Sequence, residues 1–431
     1  MTSARTEQAA AKRSWRPGQL ARNTVLATGW QGLRLAFQFA YLIVVARLLG
    51  AAGYGTFSGI VALAATLSPL AGAGFGLILV KQVSRHPESF PRYWGKALSA
   101  ITISAPLLIL AMGAMAAVIL PDTGETLALL IVGVSELLLV PLVAACANAY
   151  QAHERLGASI FNFVLLNGGR LLAMGALTLH NRHPNLNLFA LAYLAGTALP
   201  AALSLAIATR TFGRPVAELR GLAGGLWEGL GFAASGVTGV AQAEIDKSLL
   251  LRLDSAIATG TYSVATRIVF AACTPLISYM LAAVPRLFRA GTNGIVGIRR
   301  TAGILLVPVL VYGVLAGGAI YLLAPWLPAV LGEGFASSVS VIRMLAPLPC
   351  LIGVSSLLLA VLSCSGAQAA RIGIELAALG LGIGLNIALI PALGVSGTVY
   401  AALASQSALA AMTTLFLFIP RLAQEKRVER P

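Results

Sequence analysis

The sequence predicts an all-α membrane protein of twelve transmembrane helices in two six-helix lobes related by a parallel repeat. Three observations carry that prediction: apolar runs that recur from end to end, basic residues gathered in alternate connections, and a stretch of the first half that returns in the second. The 431 residues are 58% apolar and only 10% charged, against roughly a quarter charged in an ordinary soluble domain. Mean hydropathy is +0.85. A soluble enzyme and a disordered chain are both excluded by these values. The formal charge of +15 is therefore read by its distribution, and no nucleic-acid partner is expected.

The apolar runs begin near Thr24, Gly55, Ala97, Leu127, Ala158, Asn187, Leu230, Ala256, Thr301, Ser338, Arg371 and Val395. Each is long enough for the about 20 residues that a crossing needs. The first is expected to be a retained helix and not a cleaved signal peptide, because the basic stretch 1–23 precedes it. The division that follows is a basic cytoplasmic tail (1–23), a first lobe of helices 1–6 (24–210), a cytoplasmic linker (211–229), a second lobe of helices 7–12 (230–419) and a basic cytoplasmic tail (420–431).

Orientation comes from the Lys and Arg residues, which concentrate on the cytoplasmic side of membrane proteins. With the amino terminus inside, the inner segments hold Arg5, Lys12, Arg13, Arg16 and Arg22, then Lys81, Arg85, Arg92 and Lys96, then Arg155, and then Arg210, Arg214 and Arg220. Further along they hold Arg286, Arg289, Arg299, Arg300, Arg371, Arg421, Lys426, Arg427 and Arg430. The outer connections hold Arg47, Arg182 and Arg252. Both termini are thus expected in the cytoplasm, with the tails drawn to anionic membrane lipids. No connection is long enough for a catalytic domain, which counts against a membrane polysaccharide polymerase.

Two stretches repeat. Arg47-Leu-Leu-Gly-Ala-Ala-Gly-Tyr-Gly-Thr-Phe-Ser58 and Arg252-Leu-Asp-Ser-Ala-Ile-Ala-Thr-Gly-Thr-Tyr-Ser263 agree at Arg, Leu, Ala, Gly, Thr and Ser over an offset of 205 residues. Six helices lie between the copies, so both halves run the same way through the membrane. Gly50, Gly53 and Gly55 are expected to shape a sharp turn between antiparallel helices, and Arg47 to anchor its helix end at the outer headgroups.

The stretch Val44-Val-Ala-Arg-Leu-Leu-Gly-Ala-Ala-Gly-Tyr-Gly55 closely resembles the first-helix signature of bacterial polysaccharide (O-antigen-type) flippases of the multidrug/oligosaccharidyl-lipid/polysaccharide exporter superfamily. Gln151-Ala-His-Glu-Arg155, Asp246 with Gly260-Thr-Tyr262 and Ala265-Thr-Arg267, and Leu385-Asn-Ile-Ala-Leu-Ile-Pro391 followed by Gly394-Val-Ser-Gly397 resemble the family in the same order. The resemblance implies a transporter, not an enzyme, that moves lipid-linked oligosaccharide on an undecaprenyl pyrophosphate-type lipid across the bacterial plasma (inner) membrane. It further implies surface or exopolysaccharide biosynthesis, polysaccharide polymerase machinery as a partner, and a cation-coupled or potential-driven cycle. The alternatives are a cation-coupled multidrug antiporter of the same superfamily, whose cavity would favour carboxylates, and a lipid II flippase, which usually carries two further helices.

Inside the predicted spans lie Arg34, Glu136, Arg170, Glu244, Asp246, Lys247 and Arg267. A charge at mid-helix costs roughly 2.5–3.5 kcal/mol on insertion scales, so these side chains are expected to face inward and to need partners. Glu136 and Arg170 sit at similar depth on neighbouring spans, and Glu244 and Lys247 are three apart on one helical face; each couple is expected to pair. Arg34 and Arg267 remain, at similar depth in opposite lobes. With Arg170 in reserve, they are the candidates for binding the lipid pyrophosphate, since guanidinium forks match phosphate oxygens. Asp246 is the candidate for ion coupling. Gln38, Tyr41, Asn162, Asn167, Gln242, Tyr262 and Asn386 could bond sugars or join helices. Cys146, Cys273, Cys350 and Cys364 form no CxxC pair and read as free small hydrophobes. The His180–His183 stretch lacks a supporting ligand, and no metal site or cofactor is expected. No GxxxxGK[ST] motif is present, which argues against ATP hydrolysis.

Overall fold

A computed structural model describes residues 17–120, 124–181, 184–216, 222–291 and 294–418. Residues 1–16 of the first basic tail, all of the second, and Arg182, His183 and Arg220 lie outside the described residues. Helix accounts for nearly all of the rest, and no strand occurs among the described residues.

The chain opens with α1 (Pro17–Leu67), a continuous helical run whose direction breaks at Gly50, with φ 64° and ψ −179°. Two of the apolar runs read from the sequence are thus one helical stretch with a corner in it. Only glycine takes such a φ without a Cβ penalty. The second limb of α1 ends in a 3-10 turn, Ser68–Leu70. Three successive left-handed residues follow, Gly72 (φ 75°), Ala73 (φ 46°) and Gly74 (φ 74°), before helix resumes in α2 (Phe75–Val83). Pro69 contributes no N–H to this interruption, and Ser104 Oγ accepts from the Gly72 N–H at 2.9 Å.

The first half continues through α3 (Phe90–Ile119), α4 (Thr126–Val134), a π-helical turn at Ser135–Leu139, α5 (Val140–Ala152), α6 (Leu156–His180) and α7 (Leu186–Phe212). The second half comprises α8 (Leu222–Leu253), α9 (Ala256–Ala272), α10 (Thr274–Gly291), α11 (Gly294–Leu323), α12 (Leu327–Leu331), α13 (Ser338–Met344), α14 (Leu348–Cys364), α15 (Gln368–Leu393) and α16 (Val395–Phe418). Several of the prolines expected to kink spans mark interruptions instead. Pro69 lies in the break after α1, Pro141 follows the π turn, Pro275 opens α10 and Pro347 caps α14, whereas Pro106, Pro200 and Pro308 lie inside helices.

Among the described residues, nine helical stretches are long and apolar enough to cross a membrane, or ten if the bent pair Glu333–Met344 and Leu348–Cys364 counts as one. The protein is a multi-pass membrane protein. The difference from twelve has a plain origin: the stretch Thr28–Leu70 counts once although Gly50 divides it, and α8, which carries Glu244, Asp246, Lys247 and Arg252, is not among the nine.

The first limb of α1 packs on α6, with Trp30 edge-on to Phe161 at 4.9 Å between ring centroids. Its second limb meets α7 through Phe57, which is edge-on to Phe189 (4.8 Å) and Tyr193 (5.1 Å), and meets α8 and α9 of the other half. At that seam a Cβ on Gly55 would fall 1.7 Å from the Ala256 carbonyl oxygen. Gly55 is therefore needed for close helix approach, whereas the sequence assigned it to the turn. Arg47 also departs from its expected role at the headgroups: its Nε and Nη2 donate to the carbonyls of Val330 (2.9 Å) and Ala329 (3.3 Å) in the second half. The four cysteines are free, and Cys146 and Cys273 are buried.

Candidate functional site

Polar groups gather where the first half meets the second. In the first half the π turn carries Glu136, whose Oε1 accepts from Arg170 Nη2 at 2.7 Å and from the Tyr193 hydroxyl at 2.5 Å. Arg170 Nε donates to Thr197 Oγ1 at 2.9 Å, and the guanidinium lies 4.2 Å from the centre of the Tyr193 ring. The expected pairing of Glu136 with Arg170 is present. Arg170, the reserve candidate for the anion, therefore has a carboxylate partner already.

Arg34, on the first limb of α1, lies over the Phe163 ring of α6 at 5.1 Å. Among the described residues it forms no ion pair, and its buried Nε has no hydrogen-bond partner. Two helical turns further on, and hence on the same face about 10 Å along the axis, is Tyr41. Its buried hydroxyl also lacks a partner. The electrostatic neighbours of Tyr41 include Arg170 and Arg267, so the face that starts at Arg34 leads to Arg267.

Arg267 projects from α9 into a group of tyrosines from the first half. Its electrostatic neighbours are Tyr54, Glu244, Tyr41 and Tyr193. Its guanidinium meets the Tyr54 hydroxyl, its buried Nε lacks a hydrogen-bond partner, and it forms no ion pair among the described residues. Glu244 instead bonds Lys247 at 2.5 Å, as the three-residue spacing predicts. Buried polar atoms are nearly always satisfied by protein or water. Arg34 Nε, Arg267 Nε and the Tyr41 hydroxyl are thus groups suited to a polar ligand or ordered water.

Asp246 lines a cavity of about 40 Å³ inside the second half. Its Oδ1 accepts from the Lys247 backbone N–H at 2.8 Å and its Oδ2 from the Tyr262 hydroxyl. Gln242, Thr266, Asn386, Ser405 and Gln406 also line the cavity, and Gln242 Nε2 and Asn386 Oδ1 are buried without partners. Such a volume admits a few waters or a small cation. It does not admit a sugar. Thr266 of its lining precedes Arg267 in the chain, and Glu244 is an electrostatic neighbour of both Asp246 and Arg267. Tyr54 and Tyr193 are site residues that the sequence reading passed over, since a tyrosine in an apolar run reads first as packing or as an interfacial aromatic.

A helical bundle of this order has the fold of solved structures described as transporters of the MOP superfamily. The lipid II flippase MurJ in an inward closed conformation superposes with a TM-score of 0.74 at 12% identity, covering 91% of this chain and 87% of that one. An inward-facing multidrug resistance MATE family transporter gives 0.70 at 14% identity, over 89% of this chain and 94% of that one. An outward-facing structure of a transporter so described gives 0.62 at 14% identity, over 92% and 94%. The chain belongs to the polysaccharide biosynthesis protein family, which it matches over residues 20–290. No curated protein matches it in sequence.

Proposed function

We propose that the protein is a flippase that carries lipid-linked oligosaccharide, on an undecaprenyl pyrophosphate-type lipid, from the inner to the outer leaflet of the bacterial plasma membrane. Twelve crossings in two six-helix lobes, 24–210 and 230–419, rock about the seam. Gly50 separates the first two crossings and α8 supplies the seventh. Residues 1–23, 211–229 and 420–431 are cytoplasmic, and membrane lipids and polysaccharide polymerase machinery are the neighbours. No covalent chemistry is involved.

The observation that carries this reading is that, among the described residues, neither Arg34 nor Arg267 forms an ion pair, and the buried Nε of each and the buried Tyr41 hydroxyl near Arg267 have no hydrogen-bond partner. A pyrophosphate offers oxygens to both guanidinium forks, and charge-assisted bonds of this kind are roughly twice as strong as neutral ones. Arg170 reaches the anion only by exchanging Glu136 for it. Asp246 binds the coupling cation, with Gln242 and Asn386 completing its shell, and the greater likeness to inward than to outward structures, 0.74 and 0.70 against 0.62, supports a state with the outer side shut. A multidrug antiporter of the same superfamily is the second reading, and the arginines weigh against it, because a cavity for organic cations is served by carboxylates.

Reconstitution with lipid-linked oligosaccharide tests the proposal. Translocation is expected in the parent protein and lost in Arg34→Glu and Arg267→Glu, with membrane insertion unchanged. Normal transport by both variants would overturn the site assignment.

A further inference from the structure

The repeated stretch has a spatial counterpart at the end of the bundle that holds few basic residues. The two copies cross each other with Gly55 at Gly260 and Ser58 at Ser263. Beside the Gly55 contact, a Cβ on Gly260 would stand 2.1 Å from the Ala51 carbonyl oxygen. One turn deeper, Ser58 Oγ and Ser263 Oγ share a hydrogen bond of 2.8 Å across the 205-residue offset. Ser248 of α8 adds a bond to the Gly59 carbonyl at 3.0 Å.

The arginines that open the two copies extend this pattern outward. Arg47 reaches the carbonyls of Val330 and Ala329 in the second half. Arg252 Nη1 reaches the carbonyl of Leu120, at the end of α3 in the first half, at 3.2 Å. Each half thus holds the other by one guanidinium, as the halves of a two-fold dimer hold each other through a self-complementary patch.

The chemistry suits contacts that are made and broken. Both guanidiniums bond neutral carbonyls and form no ion pair among the described residues. Arg47 and Arg252 are exposed, so a guanidinium released from its carbonyl rebonds to water at modest net cost, whereas a buried ion pair is costly to break. The crossing itself is backbone on backbone between Ala51, Gly55, Ala256 and Gly260, and beside it Leu251 and Phe335 of the second half are buried against the second limb of α1, with Phe335 edge-on to Tyr54 at 6.3 Å, so parting the mouth uncovers these side chains. Away from this end α8 still packs on the first half, where a Cβ on Gly229 would stand 2.0 Å from the Ala73 carbonyl oxygen, whereas α10, among the described residues, packs on α11, α14 and α9 of its own half.

We propose that this symmetric contact is the outer gate, in which both arginine clasps release and the Gly55–Gly260 crossing parts each time the mouth opens. This rests on the alternating-access reading above. The competing role is a fixed pivot, closed throughout the cycle.

The test uses the full chain with its four native cysteines replaced by alanine. Ser58→Cys, buried in the closed mouth, is labelled with a membrane-impermeant maleimide from the side opposite the tails. Adding Arg47→Ala with Arg252→Ala is expected to speed labelling at least roughly tenfold, since three charge-assisted hydrogen bonds across the closed mouth are lost. An unchanged rate overturns the proposal. Should that variant fold poorly, Ser58→Cys with Ser263→Cys in the otherwise unaltered background decides the matter. Oxidation is expected to join the two cysteines, and translocation of lipid-linked oligosaccharide to stop and to return on reduction. Transport at the parent rate while joined, or failure to join, overturns the gate. A parent that translocates no such lipid counts against the proposed substrate and leaves the labelling rates to decide the gate.

Discussion

Replacing Glu136 with leucine orphans a guanidinium. The carboxylate accepts from both Arg170 and Tyr193, and the side chains of Arg170 and Glu136 keep only 13% and 10% of their exposure. Without it, Arg170 retains Thr197 Oγ1 and the face of Tyr193. Breaking a buried pair by removing one partner costs about 3–5 kcal/mol, of which the retained cation–π contact, worth about 1–2 kcal/mol when desolvated, already belongs to the parent. Glu136→Leu is therefore expected to lose about 3–5 kcal/mol. Glu136→Gln, which keeps an oxygen for both donors, is expected to lose about 1–2 kcal/mol. The double variant Glu136→Leu with Arg170→Met removes both charges and should recover most of the loss. The assay is reversible unfolding of the purified protein from detergent micelles, arranged as a double-mutant cycle. A coupling below about 0.5 kcal/mol, or a Glu136→Leu protein as stable as the parent, would refute the claim that this pair is a closed structural unit.

Other outcomes follow from the same geometry. Arg267→Lys keeps the charge but loses the planar fork, so affinity for inorganic pyrophosphate, read by calorimetry, is expected to fall about tenfold; unchanged affinity would remove Arg267 from the anion site. Asp246→Asn is expected to abolish the dependence of transport on an imposed cation gradient while pyrophosphate binding stays within about twofold, and a retained gradient response would place coupling elsewhere. Gly50→Ala meets no atom within 4 Å and is expected to cost only the backbone penalty of its φ 64°, ψ −179° conformation, a region essentially confined to glycine, of about 1–3 kcal/mol. Gly55→Ala, by contrast, drives a methyl into the Ala256 carbonyl and should destabilise the folded protein by clearly more, as measured by the loss of monodisperse protein on heating. Equal losses for the two glycines would contradict the close crossing.

Much of this arrangement was legible in the chain. Apolar length placed the helices, and depth plus spacing paired Glu136 with Arg170 and Glu244 with Lys247, because buried charges of opposite sign have few other places to go. The repeat announced which residues of the two halves correspond, though not that Gly55 and Gly260 touch. The role of Arg47 was hidden because its acceptors are main-chain carbonyls 282 and 283 residues away, and a carbonyl has no side-chain signature. The interruption after Leu67 was hidden too: Ser68-Pro-Leu-Ala-Gly-Ala-Gly74 is apolar enough to pass as span. Tyr54 and Tyr193 escaped notice since the hydroxyl that matters is one atom on an otherwise packing-type ring.

That interruption has a mechanical consequence. An unbroken rod reaching from one membrane face to the other would transmit a push at its top directly to its foot. Here the upper piece is fastened to α9, the lower piece, α2, rests mainly on α3 and α5 of its own half, and three left-handed residues form the joint between them. A push on the upper piece must turn the chain at Gly72, Ala73 and Gly74, where a Cβ on Gly74 would already stand 2.1 Å from the Gly229 carbonyl oxygen of α8, so the second half grips the joint itself.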